Sequence, residues 1–310
     1  MMRVSPALAL GGLSVALLCL TSCVVDVGDW QHYSKDFHSS YPLKSGGRLT
    51  VETFNGAVDI SPWDQDTIDI SGTKFGPSQE DADNLRVDVD HSSSSVSIHV
   101  QRPTDRHNNE GARLTIKVPH GTELERIVTS NSSIRVEDCV GPSRLKSSNG
   151  AIHVVNLKGD LEAETSNNAI ELDNVDGNVR AHSSNGHIRA GRINGSIEVG
   201  TSNSGVDIDV MRSDKDVRVD TSNNGVELTL PPNFSSGVHV ETRNGPITLR
   251  LGDGANALVS ARTSNSSIDT DFEVRARGEL SKNRLEGAIG NGGPLMELIT
   301  SNASIRLVKR

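Results

Sequence analysis

The chain has 310 residues, a formal net charge of −9 and only 3% aromatic residues. The acidic balance argues against nucleic acid as a partner and against electrostatic binding to anionic lipid headgroups, because both carry negative charge themselves. The scarcity of aromatic rings leaves few platforms on which bases or sugars could stack.

The N-terminal segment has the features of a secretory signal peptide. Arg3 supplies a positive charge, residues 4–20 are apolar, and Leu20-Thr21-Ser22-Cys23 follows. The last four residues resemble the lipobox of bacterial lipoproteins, whose cysteine is acylated and becomes the new N-terminus. The resemblance implies that residues 1–22 are removed and that a lipid on Cys23 anchors the protein to a membrane. The alternative is an ordinary cleaved signal followed by a chance cysteine.

Neither cysteine nor histidine indicates a metal or cofactor site. With a lipid on Cys23, Cys139 has no partner for a disulfide or a cysteine-based metal site. The ten histidines are scattered and form no H-E-x-x-H pattern. We therefore expect neither a metal ion nor another cofactor.

Residues 23–45 are predicted to be a tether that also caps the fold. Four of the nine aromatic residues of the chain gather there, namely Trp30, Tyr33, Phe37 and Tyr41. We expect them to pack on the first coil, and a contact with a membrane or a partner is the alternative.

Residues 46–128 are predicted to be rich in strands but irregular. Six segments alternate apolar and polar residues, the pattern of half-buried strands. These segments are 49–53, 58–60, 67–70, 85–89, 96–100 and 114–118. A short helical turn is predicted from Glu80 to Ala82.

A repeat dominates the chain from residue 129 to residue 230. Ten copies of the tripeptide Thr/Ser-X-Asn mark the repeat, with the asparagine at Asn55, Asn131, Asn149, Asn167, Asn185, Asn203, Asn223, Asn244, Asn265 and Asn302. Steps of 18 residues run from Asn131 to Asn203, and steps of 20, 21, 21 and 37 follow. A period of this size is typical of a solenoid, in which each coil is buried only by its neighbours. The predicted fold is all-β: a single-stranded parallel β-helix, or β-solenoid, with coils of about 18 residues.

Each coil is predicted to hold two short strands, with the asparagine at the corner between them. Three residues after the asparagine, an apolar column runs through Ile134, Ile152, Ile170 and Ile188. A second corner is predicted ten residues after the asparagine, where positive φ favours glycine; it is occupied by Gly141, Gly159, Gly177 and Gly195. Cys139 shares an apolar position with Leu157, Val175, Ile193 and Met211. We therefore expect all five of these side chains to be buried.

The repeated polar positions have structural explanations of their own. Stacked asparagines can donate to one neighbouring coil and accept from the other, which forms an amide ladder; those of the array are Asn131, Asn149, Asn167, Asn185, Asn203 and Asn223. The Thr or Ser two residues earlier is expected to bond from coil to coil in a similar way. Outward positions alternate in charge through Arg144, Glu162, Arg180, Glu198 and Arg218, so neighbouring coils should attract each other. This charged column is the candidate binding face.

Residues 231–310 are predicted to be irregular coils and a C-terminal cap, with the Asn302 coil closing the end of the stack. The glycine-rich segment Gly287–Gly293 lacks the Lys-Ser/Thr of a phosphate-binding loop. Whether it is a cap or a functional loop is open at this point.

Several motifs in order resemble the bacterial adhesin family of unknown function, whose β-solenoid domains are built from T-S-N-G-x-I repeats. Besides the repeats, the shared segments are Phe54-Asn55-Gly56-Ala57-Val58, Val118-Pro119-His120-Gly121-Thr122 and Leu285-Glu286-Gly287-Ala288-Ile289-Gly290. The resemblance covers residues 46–310. It implies a location on the surface or in the envelope and an adhesive or scaffolding role, and it carries no catalytic residues.

Three functions are compatible with these features. The first is a non-enzymatic, lipid-anchored envelope protein that presents a rigid surface to an unknown protein or glycan, facing the periplasm or the exterior. The second is an envelope-stress sensor or regulator that binds a peptide or an antibiotic by strand addition. The third is a polysaccharide-active enzyme, for which Asp207, Glu227, Asp220 and Arg218 are the candidate catalytic residues.

Overall fold

The computed structural model describes residues 33–101, 109–212, 214–276 and 281–310. The predicted signal peptide, Cys23 and Trp30 lie outside these residues. No helix in the described ranges is long and apolar enough to cross a membrane. The described chain is nearly all β-structure with long parallel stacks in two sheets, which confirms the predicted β-solenoid.

The N-terminal part contains seven strands and one short helix. In chain order they are β1 (Tyr33–Pro42), β2 (Arg48–Glu52), β3 (Val58–Trp63), β4 (Thr67–Gly76), α1 (Gln79–Asn84), β5 (Val87–His91), β6 (Ser95–Val100) and β7 (Gly111–Pro119). The predicted turn at Glu80 lies in α1, which begins because the Ser78 hydroxyl accepts a hydrogen bond from the Asp81 N–H at 3.1 Å. The strand predicted from Leu85 begins only at Val87, because Leu85 closes the helix and is buried.

The regular array contributes twelve strands, two from each coil. They are β8 (Glu123–Thr129), β9 (Ile134–Glu137), β10 (Ser143–Ser147), β11 (Ile152–Lys158), β12 (Leu161–Thr165), β13 (Ile170–Asp176), β14 (Val179–Ser183), β15 (Ile188–Asn194), β16 (Ile197–Thr201), β17 (Val206–Arg212), β18 (Val217–Thr221) and β19 (Val226–Thr229).

Eight further strands complete the described C-terminal part. They are β20 (Val238–Glu241), β21 (Ile247–Leu251), β22 (Ala257–Thr263), β23 (Ile268–Thr270), β24 (Val274–Ala276), β25 (Arg284–Ile289), β26 (Leu295–Thr300) and β27 (Ile305–Lys309).

The strands form two sheets, one on each side of the apolar columns. Sheet A has the order β1-β4-β7-β3-β9-β11-β13-β15-β17-β19-β21-β27-β23. Sheet B has the order β24-β25-β22-β26-β20-β18-β16-β14-β12-β10-β8-β2-β6-β5. From β10 to β19, each strand lies between the corresponding strands of the preceding and the following coil.

Identical positions of successive coils stack in register and form the core. Ile152 pairs with Ile134 and with Ile170, Ile170 pairs with Ile188, and all four side chains are completely buried. Sheet B supplies the facing column, in which Leu145, Ala163 and Ala181 are neighbours. Each buried isoleucine contributes about 1.5–3 kcal/mol through apolar burial, so the columns are the main stabilising feature.

An asparagine ladder follows the corner between the two sheets. From Asn131 onward, each amide Nδ2 donates to the Oδ1 of the asparagine that precedes it in the stack, at 2.6–2.9 Å, and the bonds join all ten repeat asparagines without a break. In space the order is Asn55, Asn131, Asn149, Asn167, Asn185, Asn203, Asn223, Asn244, Asn302 and Asn265.

The buried hydroxyls two residues before the asparagine bond differently from the predicted hydroxyl-to-hydroxyl pattern. The Thr165 hydroxyl donates to the backbone carbonyl of Gly150 at 2.9 Å, and the Thr201 hydroxyl donates to that of Gly186 at 3.1 Å. These two hydroxyls each satisfy a corner carbonyl of the preceding coil, which would otherwise be a buried acceptor without a donor, whereas the Thr129 hydroxyl is buried without a partner among the described residues.

The glycines of the second corner are explained by close backbone contact more than by positive φ. The predicted positive φ is found at Gly141, Gly159 and Gly195 but not at Gly177. Glycine is needed at this corner because the backbones of successive coils lie very close together there. A Cβ on Gly177 would lie 2.2 Å from the Gly159 carbonyl oxygen of the coil before it. The chain also turns three residues earlier, where Asn156 and its equivalents have φ near +55°. The glycine pattern does not predict this bend. Because the chain bends here and continues as a strand, the sheet A strands extend beyond their predicted ends.

One predicted core residue is on the surface. Cys139, Leu157, Val175 and Ile193 are buried, but Met211 is 52% exposed. The register shifts between β15 and β17, so that Val210 pairs with Ile193 and takes the buried position. The longer coil that follows Asn203 accounts for the shift.

The coil order at both ends departs from the chain order. The first coil, β2 and β3, lies between the coil of β6 and β7 and the coil of β8 and β9. The Asn302 coil, β26 and β27, lies between the coil of β20 and β21 and the coil of β22 and β23. The prediction that the Asn302 coil closes the stack is therefore wrong, because it is inserted one place from the end.

Candidate binding face

The charged column lies on the outer face of sheet B. Arg144, Glu162, Arg180, Glu198 and Arg218 are successive register partners, one per coil. They point outward because they alternate along their strands with buried residues such as Leu145 and Ala163. Arg144, Arg180 and Arg218 are each more than half exposed.

The column consists of two ion pairs and a fifth residue that bonds elsewhere. Arg144 Nε lies 2.8 Å from Glu162 Oε2, and Arg180 Nη2 lies 2.7 Å from Glu198 Oε2. The hydrogen bond to Glu162, followed by that carboxylate's charge, raises the pKa of Arg144 above its ordinary value. Glu198 acts in the same way on the pKa of Arg180. Arg218 instead pairs with Asp220 of its own strand at 2.8 Å.

Solvent exposure limits what these ion pairs contribute to stability. Ion pairs between exposed side chains are screened by water and salt and add little to the free energy of unfolding. The column can therefore exchange its internal partners for those of a ligand with little loss of folded stability.

An open groove runs beside the charged column, where the sheet B strands begin. Its volume is about 410 Å³. Its charged lining includes Arg48, Glu123, Arg144, Asp160, Glu162 and Arg180. The groove crosses from β2 to β16, five strand spacings or about 24 Å. We call it the sheet B groove.

Turn residues give the groove a regular polar floor. The Asp160 carboxylate accepts from the Asn178 N–H at 2.9 Å, and the Asn178 side-chain oxygen accepts from the Ser196 hydroxyl at 2.7 Å. These bonds fix the corner residues relative to one another, so the groove has a defined shape along its length.

The outer face of sheet A carries a second charged series. His153 Nδ1 lies 3.1 Å from Glu171 Oε2, and Arg189 Nη2 lies 3.8 Å from Asp207 Oδ2. Arg135 bonds within its own strand to Glu137. Variants on this face are suitable controls for variants of the charged column, because the two faces carry similar residues on the same coils.

The residues considered for catalysis lie on different sheets. Asp207 and Glu227 are register partners in β17 and β19 of sheet A. Arg218 and Asp220 lie on β18 of sheet B. The proposed set of four therefore does not meet at one site.

The glycine-rich segment Gly287–Gly293 forms part of the C-terminal cap. β25 pairs antiparallel with both β22 and β24, and a Cβ on Gly287 would lie 2.5 Å from a Val274 side-chain carbon of β24. Gly290 and Gly292 have positive φ in the turn that follows.

Tyr41 and Phe37 of the predicted cap pack against the core from β1. β1 pairs antiparallel with β4 along its whole length, from Tyr33 opposite Gly76 to Pro42 opposite Thr67. Tyr33 itself is 40% exposed.

Cys139 is an unreactive thiol in this fold. It is 3% exposed, and burial, with a smaller effect from the charge of Asp138, raises its pKa to about 12. The thiolate that would react as a nucleophile is therefore nearly absent at neutral pH.

Comparisons with known proteins give structural neighbours only. No family profile matches the sequence, and no curated protein matches it. A solved structure of a "putative cell adhesion protein" from Clostridium sporogenes is 11% identical, covers 89% of this chain and 100% of its own, and has a TM-score of 0.23. A "putative adhesin" from Bacteroides fragilis is 11% identical, with coverages of 88% and 97% and a TM-score of 0.34. A "putative lipid binding protein" from Parabacteroides distasonis is 12% identical, with coverages of 91% and 98% and a TM-score of 0.33. At TM-scores below 0.5, these neighbours assign neither a family nor a function to this chain.

Proposed function

We propose that this chain is a non-enzymatic, lipid-anchored protein of the bacterial cell envelope whose solenoid is an adhesin-like or scaffolding binding module. The observation that carries the proposal is the charged column and the adjoining sheet B groove, which form one exposed and regular surface over five coils. Cys23 supplies the anchor, and the partner is a protein or a glycan.

The alternation of signs along the column favours a partner with both donors and acceptors. Arginine side chains can bind carboxylates or phosphates through two parallel hydrogen bonds. The glutamates beside them accept from amines, amides or hydroxyls. An extended peptide or a charged glycan that lies across the strands would contact positive and negative side chains alternately. Complementary charges of this kind contribute more to specificity than to affinity.

The rigid stack beneath the surface favours binding without rearrangement. The asparagine ladder and the buried columns fix the spacing of the coils, so the charged side chains are presented at intervals of about 4.8 Å. A preformed surface avoids the loss of conformational entropy that ordering a loop would require.

The proposal is tested by comparing two double variants of the full-length protein. Arg144→Gln with Arg180→Gln neutralises the charged column, and Arg135→Gln with Arg189→Gln is the matched control on sheet A. Binding to isolated cell-wall glycan and to detergent-solubilised envelope proteins is measured separately for each, with detergent present so that the lipid anchor does not contribute. We expect the sheet B variant to lose at least tenfold in affinity for one fraction, while the control binds as the parent does. Equal binding by both variants would rule out the charged column as the binding face.

The anchor is tested by Cys23→Ser. We expect mass spectrometry of the N-terminal peptide of the parent protein to show acyl chains on Cys23 and no residues before it, whereas the variant should carry no acyl chain. An unmodified Cys23 in the membrane-bound parent protein would exclude lipidation at Cys23 as the anchor.

A further inference from the structure

A second cluster of polar residues lies on sheet B, beyond the charged column and next to the inserted Asn302 coil. His239 of β20 is flanked by Glu297 of β26, its register partner, and Glu241 follows on its own strand. Asp220 of β18 is the register partner of Glu241. One imidazole and three carboxylates from three neighbouring strands thus meet on the outer face of the sheet.

The imidazole of His239 has a carboxylate at each ring nitrogen. Nδ1 lies 3.0 Å from Glu297 Oε2, and Nε2 lies 3.7 Å from Glu241 Oε2. A histidine that donates its Nδ1–H to a carboxylate presents the lone pair of Nε2, which is the arrangement found around metal-binding histidines. The His239 side chain is 25% exposed, so its ring is held by its neighbours while Nε2 faces the carboxylates.

The potential ligand atoms are already close together. One atom each from Asp220, His239 and Glu241 lies within 4.8 Å of the other two. Four ligands at about 2.0 Å from a tetrahedral zinc ion lie about 3.3 Å apart. Small rotations of two partly exposed carboxylates are enough to close that difference.

We propose that Asp220, His239 and Glu241 bind a zinc ion, with water as the fourth ligand and Glu297 as the residue that orients His239. A nitrogen ligand selects zinc, copper or nickel over calcium and magnesium, which prefer sites built from oxygen alone. The two carboxylates neutralise the charge of the ion.

Arg218 limits the affinity of this site without blocking it. Its guanidinium donates to both oxygens of Asp220, at 2.8 and 3.3 Å. A carboxylate has about four lone-pair positions, so two of them remain for a metal ion. The positive charge of the Arg218 guanidinium repels the zinc ion. We therefore expect the zinc affinity to lie below that of structural zinc sites built from cysteine.

A metal ion at this position would join β18 to β20 and hold His239 against β26. It would therefore strengthen the attachment of the inserted coil to the array. The two proposals share Arg218, which belongs to the charged column and bonds to Asp220. They can still be tested separately, because the variants of the charged column change only Arg144 and Arg180, which take no part in the metal site.

The experiment is a calorimetric titration of zinc chloride into the tag-free, EDTA-treated full-length protein in detergent. His239→Gln removes the nitrogen ligand, Glu297→Gln removes the orienting carboxylate, and His153→Gln is the control, since His153 has a single carboxylate partner, Glu171. Thermal unfolding with and without zinc gives a second readout.

We expect one zinc ion per chain and an unfolding temperature that rises with zinc. His239→Gln should weaken binding at least tenfold, and Glu297→Gln by about 10–100-fold, as is usual for residues that orient a ligand. His153→Gln should bind as the parent does, and calcium should not compete. His239→Gln loses the bond to Glu297 even without zinc, so the decisive comparison is the shift itself: zinc should raise the unfolding temperature of the parent and leave that of His239→Gln unchanged.

Three results would overturn the proposal. They are no binding by the parent protein, binding by His239→Gln that is as tight as that of the parent, and displacement of zinc by an equal concentration of calcium. The last two would indicate adventitious binding to surface carboxylates.

Discussion

The regular array and the two ends of the solenoid use the same coil but arrange it differently. In the array, from β10 to β18, coils that follow each other in the chain are neighbours in space. At each end, one coil is inserted between two others, and antiparallel strands then complete most of the sheet margins. The asparagine ladder runs through both arrangements. The comparison shows that the repeat motif specifies that a segment is a coil, while the connecting segments decide its place in the stack.

The margins differ from the array because edge strands can pair with other chains. β1 and β4 cover β7 in sheet A at the N-terminal end, and β24 and β25 cover β22 in sheet B at the C-terminal end. The remaining margin of sheet A, β23, has only three residues. Short and antiparallel edges of this kind offer a poor template for further parallel coils.

The largest expected effect comes from breaking the array at its centre. Ile170→Asp places an unpaired charge in the fully buried column, and we expect a loss of about 4 kcal/mol or more in the free energy of unfolding. Thermal or urea unfolding measures it. The control is Glu171→Ser on the outer face, which should change stability by about 0.5 kcal/mol or less. Unchanged unfolding of Ile170→Asp would mean that this column does not face the core.

The inserted C-terminal coil can be tested by cross-linking. Thr248 and Arg306 are register partners in β21 and β27, so Thr248→Cys with Arg306→Cys should form a disulfide and stabilise the fold by about 2–4 kcal/mol. Thr248→Cys with Asp269→Cys should form none, because β27 separates the two residues. Cross-linking of the second pair instead of the first would mean that the coils stack in chain order and that the Asn302 coil is not inserted. Mass spectrometry distinguishes the two outcomes.

The asparagine ladder predicts a smaller and graded effect. Asn167 lies in the array and Asn302 in the inserted coil, and each makes two ladder bonds. Asn167→Ala and Asn302→Ala should therefore each lower the free energy of unfolding by about 1 kcal/mol. Asn265 makes only the terminal bond of the ladder, to Asn302, so Asn265→Ala should lose less. Equal losses for all three, measured by urea unfolding, would mean that the ladder bonds do not account for the effect.

Cys139 gives the smallest expected effect, which depends on pH. Its pKa is raised from 9.0 to about 12 in the folded protein, so the folded state holds the thiol proton longer than the unfolded state does. The stability linked to this group is complete below pH 9 and is lost as the pH rises toward 12. Cys139→Ala should therefore lose less stability than the parent between pH 9 and pH 11. Identical pH profiles would contradict the raised pKa.

Chemical labelling checks the same prediction at lower pH. The peptide that contains Cys139 should resist alkylation near neutral pH in the folded protein and react after denaturation.

The array was predictable from sequence because each position repeats. Ile134, Ile152, Ile170 and Ile188 mark the buried face directly, since a constant spacing places like residues above one another. The coil after Asn203 broke this logic at Met211, because its step of 20 residues shows that residues are added but not where in the coil the register shifts. The step from Asn244 to Asn265 looks regular, and only tertiary pairing shows that the Asn302 coil lies between them.

The candidate sites were predictable to different degrees. The charged column follows from the repeat, but its division into ion pairs depends on side-chain rotamers, as the bond from Arg218 to Asp220 shows. The cluster around His239 was predictable only in part. Asp220 and Glu241 occupy the same position of successive repeats, but Glu297 is far away in the chain and becomes a neighbour only through the inserted coil.

The insertion at both ends also restricts how such a protein can lengthen. A coil appended after Lys309 would find both flanks of its predecessor already occupied. Duplication of one 18-residue unit within the array would lengthen both sheets by one strand and leave both terminal closures intact. Variants of different length should therefore differ in the middle and share their termini.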